Sequence, residues 1–246
     1  MTNKPLDFAV IVPLANEAPT LTELTNRLKE QLDNLAGGKV YLVVDDASTD
    51  DTLALCRIIE KNDNRFVAVY ESQNKNVVDA YLRGYKAAFD NGHTFIIEMD
   101  GGLSHDPATL PYFIEAFKNG FDCVYGSRFT AGGAMKDSNF KRRFLSRGGT
   151  LLANSLLGTR MSDMTSGYQG FSRDIVKKIL DYGLKSKAHF YQTEVRYLLR
   201  HKKSTEIAIV YRAPSPSVST GAITDSLKNL GYYLINRLIF NAKRIS

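Results

Sequence analysis

Three clusters of carboxylate and amide side chains follow apolar runs in the amino-terminal half of the sequence. Asn16-Glu17 comes after the run at 8–12, Asp45-Asp46 after 40–44, and Asp100 after 94–99. A carboxylate at the end of a strand can accept hydrogen bonds from ribose hydroxyls or base N–H groups, and it can ligate a divalent cation. One such cluster describes a solvated turn; three in the same kind of place describe a site. Further on, basic side chains crowd residues 136–147, which suits phosphate or anionic headgroups. The two backbone routes to phosphate, G-x-G-x-x-G and the Walker loop, are missing from the sequence. A nucleotide whose diphosphate is held by a metal on Asp100, or by arginines, fits the residues that are there.

The elements that must position these groups alternate. The run at 8–12, ended by Pro13, reads as a buried strand, and Thr20 with Glu23 as a capping pair opening a helix to about 35. A strand at 40–44 leads to a helix capped by Ser48 or Thr49 with Asp50 and Asp51 in its first turn. A strand at 66–70, a helix at 77–89, a strand at 94–99, a helix opened by Asp106-Pro107 and a strand at 123–125 follow. Apolar strands separated by helices imply a mostly parallel sheet covered on both faces, an α/β fold with ligands beyond the carboxyl ends of its strands. The second half is less regular. The pattern predicts a helix at 141–157, a glycine-bearing turn at 163–167, a helix at 189–200 and a strand at 204–210. A Pro/Ser-rich loop at 212–221 and an amphipathic helix at 227–240 complete it. That last helix carries Leu227, Leu230, Leu234, Leu238 and Ile239 beside Lys228, Arg237, Lys243 and Arg244, a pattern suited to a membrane surface or to packing.

Composition bounds the rest. The chain has 246 residues, 43% hydrophobic and 24% charged, which excludes disorder as its main state. Its net charge of +6 gives nucleic-acid binding little support. Two cysteines, Cys56 and Cys123, cannot build a disulfide framework and read as buried, reduced thiols of a cytosolic protein. The sequence shows no signal peptide and no apolar run of about 18 residues, so any membrane contact is expected to be peripheral.

Four stretches, "FAVIVPLANEAPTL" (8–21), "VVDDASTDDT" (43–52), "IIEMDGGLSHDP" (96–107) and "YGSRF" (125–129), resemble the family two inverting nucleotide-sugar glycosyltransferases of the GT-A (Rossmann-like) fold. Residues 141–157 and "SDMTSGYQGF" (162–171) are similar to the dolichol- and polyprenol-phosphate branch. The resemblance implies that Pro13, Asn16, Glu17, Asp45 and Asp46 hold the nucleoside half of a nucleotide-sugar donor. It implies that Asp100, beside Gly101, is the first acid of a D-x-D motif for Mg2+ or Mn2+, and that Arg128 and Arg142 grip phosphate near the reaction centre. The resemblance covers roughly residues 7–210; the catalytic domain is expected at 1–222, and the amphipathic pattern makes 223–246 a helix for membrane or partner contact.

This chain departs from that pattern. Gly102 stands where the second acid of the motif belongs, and glycine supplies no ligand. Glu98, two residues before Asp100 on an extended strand, is a candidate compensating carboxylate. Gln169 stands where relatives carry arginine, and the 74–85 loop lacks its usual glycine. The expected reaction is inverting transfer of a sugar to a polyprenyl phosphate at the cytoplasmic membrane face. An ionised acceptor phosphate needs no general base. A sugar-hydroxyl acceptor would need one, and Glu194 then Asp163 are the candidates, with His105 read as a turn residue. A catalytically silent nucleotide-sugar-binding protein is the third reading, motivated by Gly102. The sequence leaves homo-oligomer formation open.

Overall fold

The computed structural model describes residues 7–70, 76–138, 140–212 and 220–239. Nine strands and eight helices lie within them: β1 (Phe8–Leu14), α1 (Ala18–Asn34), β2 (Lys39–Val44), α2 (Thr52–Asn62), β3 (Phe66–Tyr70), α3 (Val77–Asp90) and β4 (Phe95–Glu98). After a short 3-10 turn at Pro107–Thr109 come α4 (Leu110–Lys118), β5 (Cys123–Ser127), β6 (Ala134–Lys136), α5 (Phe140–Leu157), β7 (Gln169–Ser172), α6 (Arg173–Tyr182), α7 (Tyr191–Leu198), β8 (Ser204–Ala208), β9 (Val210–Arg212) and α8 (Thr220–Ile239).

Seven strands form one sheet in the order β3-β2-β1-β4-β7-β5-β8, and β6 pairs with β9 apart from it. Every pairing in the large sheet is parallel except those of β7. The expected mostly parallel sheet is therefore present, with an antiparallel strand that the sequence pattern does not announce. Strand β7 is four residues long and carries Gly170, against which Ile97, Phe113 and Phe117 pack; a Cβ there would meet Phe117 Cζ at 3.0 Å. Helix α6, equally unannounced, follows it directly. Two apolar clusters cover the two faces of the sheet, and both cysteines are buried in them as free thiols. Burial pushes each thiol up to about 12.

Several helix ends differ from expectation. Helix α1 starts at Ala18, not at Thr20: Pro19 fits its first turn, Glu17 is the N-cap residue, and Thr20 Oγ1 donates to the Glu17 carboxylate at 2.8 Å. Helix α2 starts at Thr52, two or three residues late, because Asp50 closes a local turn by accepting the Thr52 N–H at 3.0 Å. Helix α8 starts at Thr220, and Ala222, Leu230 and Tyr233 on it are buried. Lys243 and Arg244, and most of the Pro/Ser loop, lie outside the described residues.

Candidate active site

Strands β1 and β4 are parallel neighbours, with Ile11 opposite Glu98 and the Met99 N–H donating to Ile11 C=O at 3.0 Å. The chain leaves β1 toward α1 through Glu17 and leaves β4 through Asp100. Because β2 lies on the other side of β1, the strand order reverses here, and this is where an open α/β sheet forms its crevice. A cleft of ≈ 830 Å³ opens at that point, within the roughly 300–1,000 Å³ typical of ligand sites. Glu17, Asp100, Gly101, Arg128 and Arg142 all line it.

Asp100 is clasped from inside. Tyr81 OH donates to Oδ1 at 2.9 Å, and the Asp100 N–H donates to His105 Nδ1 at 3.0 Å. The imidazole therefore carries its proton on Nε2, which faces Asp100 Oδ2 at 3.7 Å. Burial holds His105 below the usual imidazole range, hence neutral at pH 7. Its ring stacks on Tyr168 at 4.8 Å and meets the edge of Tyr211 at 5.3 Å. Between Asp100 and His105, Leu103 takes φ +58°, a left-handed value that branched side chains avoid. The sequence reads His105 as a turn residue that helps shape the loop, and it does so by fixing the Asp100 backbone.

Tyr211 joins the acidic end of the cleft to its basic wall. Both Arg128 and Arg142 lie over its ring at 5.5 Å, and Arg142 Nη2 is 2.9 Å from its hydroxyl. Arg128 is buried and its fork is taken: Nε and Nη2 reach the two oxygens of Asp163 at 2.7 and 2.8 Å, and Nη2 also reaches Thr165. Arg142, on α5, is less buried. Past the arginines the cleft is apolar, lined by Phe144 and Leu152 of α5 and by Ile223, Leu227 and Leu230 of α8.

The other expected site residues sit elsewhere. Asn16, at φ +56°, stitches the β1–α1 turn to the β2–α2 turn: its N–H donates to Ser48 Oγ at 3.0 Å and its Oδ1 accepts from the Thr49 N–H at 2.8 Å. Asp45 Oδ1 accepts from the Ala47 N–H at 2.9 Å. Pro13 adjoins the site through its carbonyl, which a Cβ on Gly101 would meet at 2.9 Å. Asp46 does not line the cleft.

Three carboxylates are corrected by the packing. Glu98, considered as a compensating ligand, is buried with its side chain accepting from Tyr85 OH, from Gln169 Nε2 at 2.7 Å and from Tyr191 OH at 2.8 Å. Burial raises it to about 8 against the opposing pull of those donors and of the Arg196 charge. Glu194, considered as a base, is also buried: it accepts from the N–H groups of Lys185 and Ser186 at 2.8 and 2.9 Å and from Tyr233 OH at 2.5 Å. Asp163 is buried against Arg128. None of the three lines the cleft. Gln169, which stands where relatives carry arginine, bridges Glu98 and Arg196, whose Nη1 donates to Gln169 Oε1 at 2.8 Å.

Residues that sequence reasoning missed are mostly aromatic. Tyr81, Tyr168 and Tyr211 look like core side chains by spacing, and only their contacts with Asp100, His105 and the arginines mark them. Among the described residues no group of three or more His, Cys, Asp or Glu could hold a metal by itself. Asp100, with its side chain 35% exposed in the cleft, suits a cation that takes its remaining ligands from phosphate and water.

Comparison with known proteins shows the family and the fold. The profile described as "Glycosyl transferase family 2" matches residues 9–180. Among curated relatives, the polyprenol monophosphomannose synthase of Mycolicibacterium smegmatis is 29% identical over 189 residues, 76% of this chain and 70% of that one. The undecaprenyl-phosphate mannosyltransferase of Micrococcus luteus is 28% identical over 203 residues, 82% of each. The dolichol-phosphate mannosyltransferase of Pyrococcus furiosus is 32% identical over 178 residues, 71% of this chain and 48% of that protein. A solved glucosyl-3-phosphoglycerate synthase from Mycobacterium tuberculosis, in complex with Mn2+, uridine diphosphate and glucosyl-3-phosphoglycerate, superposes with a TM-score of 0.66. Its sequence is 15% identical, and the match covers 94% of this chain and 79% of that one. At that identity the likeness shows a shared fold, the GT-A arrangement.

Proposed function

The chain belongs to glycosyl transferase family 2, and from that premise we propose that it moves a sugar, with inversion, from a nucleotide-sugar donor to a polyprenyl phosphate. The observation that carries this reading is one cleft with three chemistries in order. Carboxylates lie at the sheet rim, arginines meet around Tyr211, and an apolar wall runs along α5 and α8. A nucleotide, a phosphate and an isoprenoid chain need those surfaces in that sequence. The relatives, named as polyprenol-, undecaprenyl- and dolichol-phosphate enzymes, support it.

An acceptor phosphate is ionised at pH 7, so its oxygen attacks the anomeric carbon while the bond to the nucleoside diphosphate breaks, and no base is required. That the carboxylates considered as bases are buried away from the cleft favours this acceptor over a sugar hydroxyl. Arg142 orients the acceptor phosphate, and the neutralised Arg128–Asp163 pair fixes the wall behind it. Tyr81 and His105 hold Asp100 where the departing diphosphate lies. A divalent Mg2+ or Mn2+, when bound, supplies positive charge against that leaving group; the structural neighbours hold Mn2+ or Mg2+ with uridine diphosphate.

Peripheral attachment to a membrane is part of the proposal. Phe140 and Phe144 on α5 and Leu227, Leu238 and Ile239 on α8 are exposed, Phe144 by 70% and Leu238 by 72%. Arg143, Arg147 and Arg237 are exposed on the same two helices. Among the described residues no helix is long and apolar enough to cross a membrane. The test is sugar transfer to polyprenyl phosphate in mixed vesicles, using nucleotide sugars of several bases. Formation of a sugar phospholipid, lost on Asp100→Ala, supports the reading; transfer only to free sugars or glycans overturns it.

A further inference from the structure

We infer that the side-chain amide of Gln192 is a specificity contact for the sugar being transferred, hydrogen-bonded to one of its hydroxyls beside Asp100. The inference rests on the proposed reading of the cleft as a nucleotide-sugar site, and its test uses no acceptor.

Gln192 lies in the first turn of α7 and lines the cleft. Residues two apart on a helix point to nearly opposite sides, so the turn that buries Glu194 in the core directs Gln192 to the cleft. Its neighbours fix it there. Tyr191 donates to Glu98 Oε1 at 2.8 Å and packs its ring against Tyr81 at 5.0 Å. Thr193 Oγ1 donates to Met164 C=O at 2.8 Å, and the Gln192 carbonyl accepts from Arg196 Nη1 at 3.2 Å. The turn is therefore committed to the core, but the Gln192 amide is not. The residue is only 6% exposed, yet among the described residues no group hydrogen-bonds to its side chain. Buried amides need partners. Here the cleft's occupant must supply them.

Position says which part of the substrate that is. A Cβ built on Gly167 would lie 3.0 Å from Gln192 Nε2, 3.0 Å from Asp100 Oδ1 and 3.6 Å from His105 Cε1. Glycine at 167 thus lets the amide and the carboxylate converge on one missing side chain in the cleft wall, and a larger residue would push one of them aside. Asp100 stands where the donor diphosphate departs and Arg142 where the acceptor phosphate attacks. The sugar passes between those two phosphates, so it lies in the cleft next to Asp100. A sugar hydroxyl both donates and accepts, which matches an amide; a phosphate oxygen only accepts and would leave the amide oxygen unpaired.

The experiment is titration calorimetry of the full chain, with Mg2+ present. The probes are uridine and guanosine diphosphate, uridine diphosphate glucose, uridine diphosphate N-acetylglucosamine and guanosine diphosphate mannose. The sugar nucleotide that binds is then compared with its monodeoxy forms, each lacking one sugar hydroxyl. Gln192→Met keeps the length of the side chain and removes its polar atoms. It should bind the nucleoside diphosphate within about twofold of the wild type and the nucleotide sugar about tenfold or more weakly. One deoxy form should bind the wild type weakly and lose nothing more in Gln192→Met, because the hydroxyl and the amide that reads it act as a pair. If Gln192→Met fails to fold, Gln192→Ala carries the same comparison. The inference is overturned if the variant loses nucleoside diphosphate and nucleotide sugar equally, which would make the amide a diphosphate contact, or if it loses neither. It is also overturned if every missing hydroxyl costs the variant as much as it costs the wild type. A wild type that binds none of the nucleotide sugars overturns the donor site and this inference with it. One that binds them but transfers nothing to polyprenyl phosphate overturns the proposed acceptor alone.

Discussion

Asp163 and Arg128 form a two-point pair, with Nε 2.7 Å from Oδ2 and Nη2 2.8 Å from Oδ1, and both side chains are buried. Burial works to raise the Asp163 carboxyl, and the hydrogen bonds and charge of Arg128 overcome it, holding the group at about 2. Replacing Asp163 with Asn leaves a buried guanidinium unpaired and should destabilise the protein by about 3–5 kcal/mol, read as a lower urea midpoint. Because the folded value lies below the ordinary 3.8, the stability contributed by ionised Asp163 is full above that pH and is lost as pH falls toward 2. The gap between wild type and variant should narrow over that window, by about 2 kcal/mol.

Glu98 titrates in the opposite sense. Its folded value is raised from 4.5 to about 8, so the native state keeps a proton that the unfolded chain has released. The associated stability is full below pH 4.5 and is lost as pH rises through 8. Urea unfolding of wild type against Glu98→Gln, which cannot ionise, should show the wild type losing ground by on the order of a few kcal/mol across that interval. A pH-independent difference would remove Glu98 as the titrating group.

Glu194 should prove structural. Its carboxylate takes the turn N–H groups of Lys185 and Ser186 and the hydroxyl of Tyr233, tying α7 to α8. Glu194→Gln should cost about 1.5–3 kcal/mol of stability, with kcat at permissive temperature close to that of the wild type. Tyr233→Phe should destabilise in the same direction, and a double-mutant cycle should show the two effects coupled. A loss of kcat with unchanged stability would return Glu194 to the chemistry.

Arg142 should separate acceptor from donor. It lines the cleft and lies against Tyr211. Arg142→Ala should raise KM for polyprenyl phosphate about tenfold or more, the worth of one charge-assisted contact. Donor nucleotide affinity by calorimetry should not change. Arg142→Lys should restore charge but only part of the affinity, because an ammonium lacks the planar fork.

The exposed apolar side chains of α5 and α8 predict vesicle binding. Phe144→Ser with Leu238→Ser should reduce flotation with anionic vesicles while sparing the circular dichroism spectrum, because both side chains are mostly exposed. Added salt should weaken binding further through the arginines on the same helices.

Much of this was legible in the residues alone. Continuous apolar runs at β1, β2 and β4 can be buried on both faces only in a parallel sheet, and that order fixes which ends carry Glu17 and Asp100. The family likewise follows from local motifs whose spacing survives in the chain. What each carboxylate faces was not legible, because charge and spacing do not record depth. Glu98 and Glu194 look like Asp100 in sequence, yet tyrosines from other elements close over both. Strand β7 and helix α6 escaped because four residues around a glycine carry no period, and only insertion between β4 and β5 makes them a strand. The meeting of Glu17 with Gly102 was likewise a tertiary outcome: eighty-odd residues separate them in the chain, and the parallel pairing of β1 with β4 brings them into contact.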